Sequence, residues 1–237
     1  MLTYISSMKR LFIVQLCYFA FIHGHVMAQH TEITVPHNGF RDVITYDARN
    51  NKISDVEQEL LGNTWHDIGN NKTTYDEHNN VLSAVSQYGW QNFFTYDNRN
   101  NRTSMLRQYR QDTGYANYDQ YFYTYDTNDN KTSEVLQKWD GKKWVNSSQT
   151  FFGHDKRLQR NWSGKEWVNS SQMVFTYDDR GNITCQLSQN WNGNEWVNKE
   201  RWTYTYDNSN KQISYVDEIW DGKAWGPWQP MRDGIPH

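Results

Sequence analysis

Aliphatic side chains are scarce in this chain. Leu, Ile, Val and Phe supply 44 of 237 residues, under the level of roughly one-fifth that usually marks a chain unable to build a core. Cysteine is nearly absent too, with Cys17 inside an N-terminal apolar run and Cys185 the only other one. Once that run is removed no intrachain disulfide is possible, so the fold must be held by packing and hydrogen bonds. An excess of basic charge is also missing. With 24 Lys and Arg against 27 Asp and Glu, no positive field exists to hold nucleic acid, which excludes that partner class. No apolar run reaches the roughly 20 residues that a membrane-crossing helix needs, and no convincing amphipathic helix follows residue 28.

What is present is aromatic. Twelve Trp and sixteen Tyr replace the missing aliphatic area, and with Thr, Asn, Gly and Ser they favour β-sheet over helix.

The first 28 residues are expected to be a secretory leader. Basic Lys9-Arg10 precedes the apolar stretch from Leu11 to Ile22, and Val26-Met27-Ala28 offers a cleavage point between Ala28 and Gln29. Met8 is an alternative start. Residues 29–44 form a lead-in, residues 45–228 an array of repeats and residues 229–237 a tail. The expected location is secreted, periplasmic or on the cell surface.

The array is anchored on Tyr-Asp, at Tyr46-Asp47, Tyr75-Asp76, Tyr96-Asp97, Tyr125-Asp126, Tyr177-Asp178 and Tyr206-Asp207. Successive Asp residues lie 29, 21 and 29 apart, then 29 more to a degenerate copy at Phe152-Gly153-His154-Asp155, then 23 and 29. Such a period marks stacked supersecondary units, each burying its face against its neighbours. Each copy alternates with period 2, as a strand does, on both sides of the Tyr-Asp turn. The Asp opens that turn by accepting backbone amides ahead of it. Three residues on stand Asn50, Asn79, Asn100, Asp129, Gly181 and Asn210, all types that tolerate the positive φ a three-residue hairpin loop requires. Asp47, Asp76, Asp97, Asp126, Asp178 and Asp207 are thus read as turn residues and not as catalytic acids.

If both strands ran without interruption, Tyr177 would face Ile183, Phe175 would face Cys185 and Met173 would face Leu187. One face would then carry Tyr, Ser, Val, Gln and Trp, and the other would meet water. The second turn of each unit sits between tryptophans, at Trp139/Trp144, Trp162/Trp167, Trp191/Trp196 and Trp220/Trp225. Asp-Gly and Asn-Gly there favour a tight type I′ turn. A two-residue loop would set Trp139 against Lys142, whereas a four-residue loop would pair the tryptophans directly. The expected fold is all-β: repeated antiparallel hairpins forming a long curled or coiled meander sheet.

The string Tyr177-Asp178-Asp179-Arg180-Gly181-Asn182-Ile183, preceded by alternating aromatics, resembles the YD repeat of RHS and teneurin-type surface proteins. The resemblance spans roughly residues 45 to 228. In that family the repeats are β-hairpins that spiral into a hollow shell, sometimes around a toxin domain. The Trp-Asp-Gly-x-x-Trp-Val-Asn half departs from the family pattern, and too few strands follow to close a shell. The resemblance therefore implies hairpin repeats and a cell-surface setting, with a fragment of a toxin shell as a lesser alternative.

Two functional readings follow. One is a non-enzymatic structural or adhesive scaffold. The other is a carbohydrate-binding surface, with the eight tryptophans above as stacking planes beside Asn and Gln amides, and glycans or envelope components as partners. The same rings could equally be the only core the sheet has. No cofactor and no metal are expected: the His residues are scattered, Cys185 occupies an inward position, and the calcium-like start at Asp126 has Lys131 where Gly is needed and Gln137 where Glu is needed. Oligomeric state is not legible.

Overall fold

The computed structural model describes residues 16–22, 25–34 and 38–227. The expected leader falls largely outside these residues, and so does the tail at 229–237. Every regular element among them is a strand. They fall in two compact units, residues 1–118 and 119–237.

The first unit holds β1 (Leu16–Ile22), β2 (His25–Thr34), β3 (Phe40–Tyr46), β4 (Lys52–Leu61), β5 (Thr64–Tyr75), β6 (Val81–Val85), β7 (Trp90–Tyr96) and β8 (Arg102–Gln111). The strand β9 (Gly114–Tyr125) passes from it into the second unit. There it is followed by β10 (Lys131–Trp139), β11 (Trp144–Phe152), β12 (Lys156–Trp162), β13 (Trp167–Tyr177), β14 (Ile183–Trp191), β15 (Trp196–Tyr206), β16 (Gln212–Trp220) and β17 (Trp225–Pro227). Within each unit every strand pairs antiparallel with the next, so the expected meander of hairpins is present. The ladder from β2 to β3 runs from His30–Tyr46 to Thr34–Asp42. It therefore lies beyond the expected cleavage point at Ala28–Gln29, which falls within β2.

The face assignment is corrected by bulges. Tyr177 does pair with Ile183, but the next pair is Thr176 with Cys185, so Thr184 is an extra residue on β14. The same one-residue insertion follows all six Tyr-Asp turns, at Ile53, Leu82, Thr103, Thr132, Thr184 and Ile213. Because side chains alternate, one extra residue moves everything beyond it to the opposite face. Cys185, Leu187 and Gln189 consequently face Thr176, Val174 and Gln172. Tyr177, Phe175 and Met173 lie on the other side. A second bulge resets the register again near the tryptophan turns, at Ser147, Ser170 or Lys199, and near the β4–β5 turn at Ile68.

Neither face is a covered core. Among the described residues only Tyr123, Asp119 and Gln172 are buried; the other side chains are half-buried or exposed, with Leu61, Tyr88 and Ile213 among the exposed apolar ones. The expected division into one packed face and one wet face is thus replaced by two half-covered ones. On the first, short rows bind the strands together. A hydroxyl row links Thr74 to Ser83 at 2.7 Å, Thr124 to Ser133 at 2.7 Å and Thr205 to Ser214. Next comes an apolar row such as Val174 opposite Leu187, and then an amide ladder. In that ladder Gln172 Nε2 donates to Gln189 Oε1 at 2.6 Å, and Gln189 Nε2 donates to Asn198 Oδ1 at 2.8 Å. Gln120, Gln137 and Asn146 repeat it at 2.6 and 2.9 Å. In the last copy Arg201 and Glu218 replace the amides with an ion pair at 2.6 Å.

Candidate functional site

Each hairpin has two ends with different chemistry. At the Tyr-Asp end, Asn50, Asn79, Asn100, Asp129 and Asn210 adopt φ between 62° and 66°, and Gly181 adopts 82°. Asp178 Oδ1 accepts the amides of Arg180 and Asn182 at 3.0 and 2.9 Å, and its Oδ2 accepts Asn182 Nδ2 at 2.9 Å. Asp47, Asp76, Asp97 and Asp126 make the equivalent bonds, and Asp207 takes the two backbone amides. These donors favour the ionised form. The Asn182 side chain holds the Asp178 carboxyl below the usual carboxylate range, and Asn80 does the same for Asp76.

Two sets of ties between turns were not foreseen from the sequence. Asn51 Nδ2 donates to Asn79 Oδ1 at 2.9 Å, Asn80 to Asn100 at 2.9 Å and Asn182 to Asn210 at 3.0 Å. Tyrosine hydroxyls make the second set: Tyr75 donates to the Lys52 carbonyl at 3.1 Å, Tyr96 to Val81 at 3.0 Å, Tyr177 to His154 at 2.6 Å and Tyr206 to Ile183 at 2.9 Å. The Asn directly after the positive-φ residue, at 51, 80, 101, 130 and 182, was the signal that could have found the first set. So the Tyr-Asp edge is a spine of hydrogen bonds running from hairpin to hairpin.

At the opposite end the tryptophans pair directly, which settles the loop at four residues: Trp139 with Trp144, Trp162 with Trp167, Trp191 with Trp196 and Trp220 with Trp225. Ring centroids are 5.1, 5.3, 5.1 and 5.2 Å apart, inclined by 60° to 68°. The first three have the edge-to-face geometry aromatic rings prefer, and the fourth is tilted. The turn is not type I′, because only its glycine has positive φ, as at Gly141 and Gly222. Instead the first loop side chain takes the amides ahead of it. Asp140 Oδ1 accepts from Lys142 and Lys143 at 2.8 and 2.9 Å, Asp221 Oδ1 from Lys223 and Ala224 at 2.7 and 2.8 Å, and Asn192 Oδ1 from Asn194 and Glu195 at 2.9 and 3.0 Å. The amides of Lys143 and Ala224, foremost, hold the Asp140 and Asp221 carboxyls low.

All eight rings are half-buried. They lie on the face of the amide ladder, since Trp139 is two residues from Gln137 and Trp144 two from Asn146 on uninterrupted strand. Successive pairs in the second unit stand two strands apart, about 9.5 Å by ordinary strand spacing. Cations cover part of the row: Arg201 sits 4.5 Å over Trp225 and Lys156 5.8 Å over Trp196. On the other face of the second unit Thr150, Phe152, Arg157, Gln159, Ser171 and Met173 border an open depression of about 330 Å³.

Among the described residues no group of three or more His, Cys, Asp or Glu could hold a metal, and burial pushes the Cys185 thiol up, away from the nucleophilic thiolate. No helix among them is long and apolar enough to cross a membrane.

No protein-family model and no curated protein sequence matches the chain. Solved structures do. A DUF3836 family protein from Bacteroides vulgatus is 21% identical over 34% of this chain and 90% of its own, with a TM-score of 0.29. A porin-like protein from Bacteroides uniformis is 13% identical over 92% of this chain and 93% of its own, with a TM-score of 0.41. The TcdB2-TccC3-Cdc42 structure is 13% identical over 87% of this chain, which spans 12% of that one, with a TM-score of 0.49. At scores below 0.5 these are loose likenesses that carry no function across.

Proposed function

We propose that the chain is a non-enzymatic structural or adhesive scaffold of the cell surface or secreted space, built from hairpins that each carry their own fastenings. The observation that carries this reading is the division of labour along the second compact unit, where four tryptophan pairs stand at one edge and Tyr-Asp turns at the other. A tryptophan pair clasps one end of the hairpin, and tyrosine and asparagine bonds tie the other end to the next hairpin. Such an array gains length by adding units without needing a deeper core. That property suits a spacer or a repetitive adhesive surface. Export is part of the proposal, with cleavage between Ala28 and Gln29. Protease treatment of intact cells expressing the full chain is the test: scaffold exposure predicts digestion of a mature chain beginning at Gln29, and protection inside the cytosol contradicts it.

A carbohydrate-binding surface is the second reading. It is favoured by the half-exposed Trp rows lying beside Gln and Asn amides on one face, which combine stacking planes with hydrogen-bonding groups. A glycan array should then show binding that is lost in Trp139→Ala and Trp144→Ala while the fold survives. If those variants unfold, or if wild type binds no glycan, the rings are clasps only.

A further inference from the structure

We propose that the Asn192–Gly193 step, at the tip of the third tryptophan turn, is a site of spontaneous deamidation that converts residue 192 to aspartate within the folded chain. Both residues are exposed. Gly193 has φ +106°, and a Cβ built on it would meet nothing within 4 Å, so the tip of the turn is open on that side. Its amide makes no hydrogen bond among the described residues. Meanwhile Asn192 Oδ1 accepts the Asn194 and Glu195 amides at 2.9 and 3.0 Å. Those donors are aimed at the oxygen on which negative charge develops when the side-chain amide is attacked, which is how an oxyanion is stabilised.

The chemistry needs only water. The Gly193 nitrogen gives its proton to solvent and bonds to Cγ of Asn192, the Cγ–Nδ2 bond breaks, and ammonia leaves with a proton from water. Water then opens the cyclic imide. Opening at Cγ restores the original backbone and leaves a carboxylate; the net change is amide plus water to carboxylic acid plus ammonia. The turn is already built for that product. Asp140 and Asp221 occupy the equivalent position in sister turns, with the same pair of amides on Oδ1 and their carboxyls held low by them. The alternative opening, at the backbone carbonyl, routes the chain through Cβ and lengthens a loop whose ends are pinned by the Asn192 amide on the Glu195 carbonyl at 3.2 Å and by the Trp191–Trp196 pair. The other Asn-Gly step, Asn38–Gly39, lacks this arrangement: no hydrogen bond reaches the Asn38 side chain among the described residues.

The test is to incubate the folded full chain at mildly alkaline pH in heavy-oxygen water and map its peptides by mass spectrometry with fragmentation that separates aspartate from isoaspartate. Asn192 should convert ahead of Asn38, with one heavy oxygen and aspartate as the main product. Gly193→Ala should slow conversion several-fold. Asn192→Asp, the authentic product, should keep the wild-type Tm and the exciton circular dichroism of the tryptophan pairs, so the proposal stays testable if Gly193→Ala misfolds. It is overturned if Asn192 is intact when Asn38 has converted, or if isoaspartate predominates.

Discussion

Tyr206 donates its hydroxyl to the backbone carbonyl of Ile183 at 2.9 Å, joining one Tyr-Asp turn to the strand that leaves the turn before it. Tyr75, Tyr96 and Tyr177 make the same tie to Lys52, Val81 and His154. The tyrosine is therefore a strut between hairpins.

Tyr206→Phe removes that strut and nothing else. The expected cost is about 0.5 to 1.5 kcal/mol, the net worth of an intramolecular hydrogen bond, read from the midpoint of urea unfolding. Combining it with Tyr75→Phe should give additive losses, because the two sites share no partner.

The clasp at the other end is tested by a double-mutant cycle on Trp191 and Trp196. Rings 5.1 Å apart in edge-to-face contact should show a coupling of about 0.5 to 1.5 kcal/mol beyond the area each buries. Exciton circular dichroism should fall by the share of one pair while the other three persist. A collapse of the whole signal would mean that the hairpins are not independent.

At Asn50, φ is 66°. Asn50→Gly should be close to neutral, whereas Asn50→Val should cost about 1 to 2 kcal/mol, since a branched side chain is crowded in the left-handed region. Equal losses in chemical denaturation would remove the backbone explanation.

Acid sensitivity follows from Asp76, Asp140, Asp178 and Asp221, whose folded carboxyls all lie below their ordinary value. In the acid range the unfolded chain binds more protons than the folded one, so stability rises with pH there. Their contribution is complete above the ordinary carboxylate pKa of about 3.9 and is lost as pH falls through the lower folded values. Tm measured from neutral pH downward should hold until that region and then drop, and Asp178→Asn should flatten the drop.

How much of this was legible in the sequence depended on backbone demands. Asn50, Asn79, Asn100 and Gly181 announced themselves because few residue types tolerate positive φ, and Asp178 because a short acceptor must stand at the turn. The bulges left no such mark. Ile53, Leu82, Thr103, Thr132, Thr184 and Ile213 are ordinary strand residues, so an uninterrupted register put Tyr177 and Cys185 on one face when they lie on opposite ones. The Asn51–Asn79 and Asn182–Asn210 bonds depend on how neighbouring turns stack, which a single repeat does not reveal. The tryptophan turn stayed open between two loop lengths because Asp-Gly and Asn-Gly suit a type I′ turn. Side-chain acceptors such as Asp140 Oδ1 favour the wider loop and free the rings to meet.

The central claim is that stability is assembled hairpin by hairpin, and equilibrium urea unfolding of a chain lacking residues 179–207 tests it most directly. That deletion removes one whole unit and rejoins Asp178 to Asn208, which preserves a Tyr-Asp turn. The account predicts a folded, shorter protein with a cooperative transition and an m-value reduced in proportion to the surface lost. Loss of the cooperative transition would contradict it and point to a structure held together only as a whole.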